Sequence, residues 1–362
     1  MSFSVRCDAT NLEYNGTSLN GLFAQRRNLL RPGFYGMLRD ILRFNRDSLA
    51  LLAGDEDSLT VGEYLDRSRY SREFSEQYLL PMGSAIWSCP AQAFSQFPMR
   101  FVVEFYRNHG LLSVSSRPTW RVVCGGSQAY VEELTRTFSN LIRLNTPVLA
   151  VRRFEEHLEI VTAQCDRQQF DHVVFACHSD QALRILGAQA TVTERNLLGA
   201  FPYEPNMAVL HTDVSVLPRR RRAWVAWNYH IRADHPEKAV VTYNMNLLQG
   251  LRSKRVFCVT LNGEDEIAPD SILRRIEYQH PIYTTRRKAV QRRHEELLDA
   301  NRTSFCGAYR GNGFHEDGVV SALAVCRALE ARGALCTAES SKELSGISGA
   351  HPFAMSSSTD CP

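Results

Sequence analysis

The stretch Phe305-Cys-Gly-Ala-Tyr-Arg-Gly-Asn-Gly-Phe-His-Glu-Asp-Gly-Val-Val-Ser-Ala-Leu-Ala-Val-Cys-Arg-Ala-Leu329 governs how the rest of this chain is read. It runs from the end of a short apolar strand through a glycine-rich loop into a helix. Gly307, Gly311 and Gly313 leave the backbone room to approach a ligand. Asp317 is expected as the N-cap, and Gly318 then opens the helix without a side chain in the way. The first amides of such a helix turn their positive ends toward whatever lies in the loop. Two readings fit these residues. One is a loop that wraps an electron-rich ring or a phosphate; the other is a glycine turn before an ordinary capped helix.

Upstream, strand and helix signals alternate. Phe3 to Leu19 reads as a hairpin turning at Asn15-Gly16. Helices are expected over about 35–52, after the Thr60-x-x-Glu63 capping box, over 71–80 with Pro81 as the stop, and after Pro98. Trp120 to Val123 reads as a strand, Gly125-Gly126 as its turn, and Ser127 as the cap of a helix to about Asn140. Strands follow near 146–151, 158–163 and 170–176, the last apolar on both faces as in a buried parallel sheet. Ser179 is expected to cap the next helix, and the order strand–turn–helix is an α/β arrangement. Between about 191 and 283 the closely spaced runs 207–212, 223–229, 239–246 and 256–261 predict a mainly antiparallel sheet, and Asp270 the cap of a short helix. Residues 286–300 read as a charged helix, and 334–362, rich in serine and without periodicity, as a disordered tail.

Composition narrows the function classes. The chain has 362 residues, 44% hydrophobic and 22% charged, enough for a large core. A net charge of +3 makes no global case for nucleic acid, and no apolar run reaches membrane-spanning length. The N-terminus lacks the apolar segment of a signal peptide. Ten cysteines form no C-x-x-C and no zinc spacing, so a cytoplasmic setting without disulfides or metal is expected. Arg219 to Arg222 is the one dense basic run, read as a solvated loop or as a peripheral contact with a phospholipid surface.

Other residues carry chemistry less clearly. Ala176-Cys177-His178 closes a buried strand, where α/β folds place ligands, although a histidine there is more often a helix-start residue. His315-Glu316 are adjacent on a loop and do not share a face, so a metal is not expected. Trp224, Trp227 and Tyr229 can line a cavity but more often form core in a strand. No residue is singled out as catalytic.

Several of these segments carry a resemblance. The 305–329 stretch is similar to the C-terminal flavin motif of the flavin-containing amine oxidoreductase family. Trp120-Arg-Val-Val-Cys-Gly-Gly-Ser-Gln-Ala-Tyr-Val131, Phe170-Asp-His-Val-Val-Phe-Ala-Cys-His-Ser-Asp-Gln-Ala-Leu183, Tyr78-Leu-Leu-Pro-Met-Gly-Ser-Ala-Ile-Trp-Ser88 and Trp227-Asn-Tyr229 resemble further segments of it. The resemblance covers about residues 1–333. It implies FAD as cofactor, with Gly307, Ala308, Gly313, Glu316, Asp317, Gly318 and Val319 against the flavin. It also implies that Gly125, Gly126 and Ala176 lie in the cofactor domain, with Val148 beside the adenine. The implied fold is mixed α/β: a partial FAD-binding Rossmann-like domain, 117–190 and 300–333, interleaved with a mixed-sheet substrate domain, 1–116 and 191–299. The implied activity is hydride transfer from a small molecule, an amine or a lipid acyl compound, to the flavin. The family's G-x-G-x-x-G turn occurs nowhere in the sequence, so the chain reads as a member without its N-terminal nucleotide-binding unit. The rival expectation is a non-catalytic remnant or partner subunit that does not bind FAD alone.

Overall fold

The computed structural model describes residues 2–54, 58–114, 119, 121–331 and 333. The serine-rich tail and Trp120 lie outside the described residues. The chain forms two units, Met1–Pro147 with Glu194–Arg292, and Val148–Thr193 with Arg293–Pro362.

The larger unit is built on a seven-stranded mixed sheet. Its strands are β1 (Phe3–Cys7), β2 (Leu12–Asn15), β7 (Tyr203–His211), β8 (Trp227–Ile231), β9 (Val240–Asn244), β10 (Cys258–Leu261) and β11 (Ile272–Pro281), in the spatial order β11-β7-β10-β9-β8-β1-β2. Only β1 and β8 run parallel; the other pairs are antiparallel, as the close strand spacing predicted. The β1–β2 hairpin turns at Asp8–Asn11, with Asn11 at φ +49°, and not at Asn15-Gly16, which lies at the far end of β2. Residues 272–281 form a ten-residue edge strand rather than the helix expected after Asp270, which sits in a single 3₁₀ turn. Its charged, outward residues and terminal proline suit an edge.

Helices fill the rest of this unit. Helix α1 (Pro32–Asp47) starts at its proline, and α2 (Val61–Ser68) has the full capping box: Glu63 N donates to Thr60 Oγ1 at 3.2 Å, and Thr60 N to Glu63 Oε2 at 2.9 Å. Pro81 does not end its helix. The segment from Arg72 runs through a π turn, Ser75–Leu79, and continues to Trp87. Pro81 removes the amide that the Gln77 carbonyl four residues back would have accepted, and the Tyr14 hydroxyl donates to that carbonyl instead, at 2.6 Å. Helix α3 (Met99–Asn108) brings Phe101 and Phe105 onto Trp87, at 5.2 and 5.0 Å between centroids. Gly83 lets the Phe94 ring lie against the helix backbone, where any Cβ would overlap it.

From 121 to 147 the chain looks different. Arg121–Val123 is not a strand, and α4 (Ser127–Thr135) is shorter than expected, begins after Gly126 and buries no residue. Val122, Val131, Leu134, Phe138, Leu141 and Leu144 are all exposed.

The smaller unit holds two sheets. Strands β3 (Val148–Arg153), β4 (Leu158–Thr162) and β5 (Arg167–Phe170) make an antiparallel meander; β6 (Val173–Phe175) and β12 (Thr303–Phe305) make a parallel pair. The strand expected over 170–176 therefore divides between the end of β5 and β6. Helix α5 (Ser179–Leu186) follows β6, with His178 rather than Ser179 at its cap position, and α6 (His315–Ala331) follows β12.

Candidate cofactor site

The parallel pair organises the site. Phe175 and Phe305 are in register, stack at 5.0 Å with 8° between their planes, and are both buried. The ladder extends one step further, Cys306 N donating to Phe175 O at 2.9 Å. Ala176 and Gly307 therefore leave the sheet together at its carboxyl end, the position where α/β folds hold ligands.

The loop is shaped by its own backbone. The Ala308 carbonyl accepts from both Gly311 N (3.0 Å) and Gly313 N (3.2 Å), and Gly313 takes φ +93°, which favours glycine. At Gly311 a Cβ would land on the Asp317 carboxylate. Asp317 is not the N-cap. The helix starts at His315, and Asp317 reaches back from the first turn to accept from Phe314 N at 2.9 Å. This is the reciprocal half of a capping box, so the acid acts from inside the helix. Gly318 N consequently donates to Phe314 O (3.3 Å) as an interior residue. Beside Gly318 there is space: the nearest atom to a Cβ placed there is Ala308 N, at 3.9 Å.

Two residues that the sequence does not single out, Ser321 and His294, hold this loop. Ser321, buried on α6, accepts from Gly307 N (2.9 Å) and donates to Gly318 O (2.8 Å), tying the helix to the strand exit. A lone serine in an apolar helical run is the signal that marks it. His294 Nε2 lies 3.0 Å from Phe305 O, and burial, then the Arg310 charge, push its pKa down to about 4, so it donates as a neutral imidazole at pH 7. Burial also pushes the Cys306 thiol up. Neither His294 nor Arg310 sits in a pattern that local sequence rules recognise.

The other sequence-derived residues are placed as follows. Glu316 and Val319 are exposed on the first turn of α6, beside the half-buried Asp317 and Gly318. Val148 opens β3, on the other sheet of the same unit. Gly125 (φ +80°) and Gly126 (φ +83°) form a left-handed turn before α4, in the larger unit. Trp227 meets Tyr243 edge-on at 5.0 Å, and Tyr229 is buried, so both pack as core. Among the described residues no cluster of three or more His, Cys, Asp or Glu side chains is placed to hold a metal, and no helix is long and apolar enough to cross a membrane.

At the amino ends of the same two strands, His172 Nε2 lies 3.1 Å from Ser304 Oγ and its Nδ1 3.5 Å from Asp299 Oδ1. The connectivity is that of a nucleophile–base–acid chain. Ser304, however, has no exposed surface and already accepts from Asp299 N at 2.8 Å. The cluster fastens β12 to β6 and offers no nucleophile to a substrate.

No family profile matches the chain, and no curated protein matches it. Solved structures do. A protoporphyrinogen oxidase-like protein from Exiguobacterium sp. 255-15 aligns with a TM-score of 0.60 at 16% identity, over 92% of this chain and 80% of the other. The fatty acid isomerase of P. acnes that produces CLA aligns at 0.56 and 15% identity, over 90% and 79%. Cyclohexylamine oxidase from Brevibacterium oxydans IH-35A aligns at 0.59 and 12%, over 91% and 81%. The mixed α/β fold is thus shared with these three proteins.

Proposed function

We propose that this chain carries the flavin-ring subsite and the substrate domain of an FAD-dependent oxidoreductase acting on a small molecule, an amine or a lipid acyl compound. The observation that carries the reading is the glycine loop at the carboxyl end of a parallel strand pair, closed by the start of a seventeen-residue helix. The residues fit the ring end of FAD. Gly307 and Ala308 are half-buried and Gly313 exposed in the loop, the space beside Gly318 is open, and Glu316 to Gly318 lie in the first turn of α6. The positive end of that helix stabilises negative charge on the pyrimidine side of a ring. Bound flavin would supply hydride acceptance; the protein's part is orientation, exclusion of water and that field. On this reading Ala176 borders the site, and Val148 serves the nucleotide half.

The fit does not extend to the pyrophosphate. No G-x-G-x-x-G stands in the sequence, and among the described residues the parallel sheet has two strands only. Parallel pairs are normally covered on both faces and continued at their edges. This observation favours a second reading, in which the chain alone holds FAD weakly or not at all and needs a further strand–turn–helix beside β6.

Lumiflavin, the ring without ribityl or nucleotide, separates these possibilities when titrated alongside FAD by fluorescence quenching. The expected result is weak binding of both with similar affinity. Tight, stoichiometric FAD binding would overturn the second reading, and no response to either flavin would overturn the first.

A further inference from the structure

We propose that the β2 edge of the larger unit is a docking surface for an anionic lipid bilayer. β2 is the edge strand of the seven-stranded sheet, and two exposed segments close over it. Glu13, buried in β2, joins them. Its backbone N–H donates to Gln25 Oε1 (3.3 Å), and its carbonyl accepts from Asn28 Nδ2 (3.2 Å). Its carboxylate accepts from Arg219 N (2.8 Å) and Arg220 N (3.1 Å). On the same strand, Asn15 Nδ2 donates to Arg222 O at 2.9 Å. The two segments are therefore neighbours in space although about two hundred residues apart in sequence.

Their charge is lopsided. Arg219 to Arg222 on one side face Arg26, Arg27 and Arg31 on the other, and over residues 9–35 and 214–226 Glu13 is the only acidic residue. These segments carry +6, twice the +3 of the whole chain, so the remainder is net negative and the positive charge is concentrated here. Arg31 is pushed below its ordinary pKa by burial and by the Arg27 charge beside it.

The same segments also expose leucines. Leu30 is 86% exposed and Leu19 77%, with Leu29 next to Leu30 on the 3₁₀ turn that carries Arg26 and Arg27. The short helix Leu19–Leu22 packs against the turn of Arg221–Ala223, which brings Leu19 to the second arginine group. Exposed leucines beside two groups of arginines match a surface with anionic headgroups over hydrocarbon. A nucleic acid would engage the arginines and gain nothing from the leucines.

The test is co-sedimentation of the full chain with phosphatidylcholine vesicles, with and without about one-third phosphatidylglycerol, at about 0.05 M and about 0.5 M salt. Binding is expected only to the anionic vesicles and is expected to fall at high salt. Arg221→Gln with Arg222→Gln should weaken it about 25-fold, at about fivefold per arginine. Leu19→Ser with Leu30→Ser should weaken it as well, while leaving retention on a short DNA duplex unchanged. All four side chains are exposed, so thermal melts of both double variants should match the parent. Failure to bind anionic vesicles at low salt would overturn the proposal. So would a leucine variant that binds them as the parent does, which would mark the patch as a general polyanion site.

Discussion

Replacing Gly318 separates a flavin contact from an ordinary helix residue, because the two roles predict opposite effects on binding and stability. Gly318 is interior to α6, with its amide bonded to Phe314 O, and a Cβ there meets nothing nearer than Ala308 N at 3.9 Å. Glycine is a poor helix residue, so Gly318→Ala should stabilise the fold by about 0.5–1 kcal/mol and Gly318→Val by roughly 0.3 kcal/mol. For a chain of this size that is a rise in Tm of about 1–3 °C for alanine and less for valine. If the space beside Gly318 receives the ring edge, the valine methyls occupy it. Lumiflavin affinity should then fall at least tenfold, about 1.4 kcal/mol, with alanine intermediate. The assay is a quench titration paired with a melt for each variant. Full lumiflavin affinity in Gly318→Val would refute the assignment of the helix start as the ring contact. Loss of both affinity and Tm would show that the space beside Gly318 is already occupied in the folded chain.

Gly187 provides the contrasting case: it holds φ +52°, ψ −124° after α5, with no atom within 4 Å of a Cβ, so Gly187→Ala pays only backbone strain. A loss of about 1–3 kcal/mol is expected in a denaturant melt, with lumiflavin binding unchanged. His294, held neutral with a pKa near 4, predicts a pH window. Between its ordinary value of 6.5 and about 4 the unfolded chain binds a proton that the native state does not, so stability falls as pH drops through that range. His294→Gln should flatten the fall in urea midpoint between pH 7 and pH 4.5, leaving the share that the buried His211 contributes with the same sign.

What the sequence revealed depended on how local the determining physics was. The Thr60–Glu63 box was legible because both partners lie within one turn. Pro81 misled because the cost of its missing amide is met from β2, by the Tyr14 hydroxyl on the Gln77 carbonyl, a contact no local rule can see. Asn15-Gly16 carried a turn signal, but the hairpin closes at Asp8–Asn11, where Asn11 itself adopts the left-handed conformation. β11 was missed because an edge strand need not be apolar. In the candidate site the loop, its glycines and the helix after it were visible, yet Asp317 was assigned the wrong half of the cap. His294 and Ser321 act through carbonyls and amides that only folding brings near.

The pairing of β6 with β12 also sets a timetable for synthesis. Phe175 is added to the chain roughly 130 residues before Thr303, an interval of about 6–25 s at about 5–20 residues per second. Throughout that interval Val173 and Phe175, both buried in the finished protein, lack the strand with which they pair among the described residues. The nascent chain must therefore keep an apolar segment from pairing with neighbouring polypeptides while the whole of 194–292 is translated. Expression at low temperature, with slower initiation and more chaperone per nascent chain, should raise soluble yield, whereas strengthening the sheet of the larger unit should not.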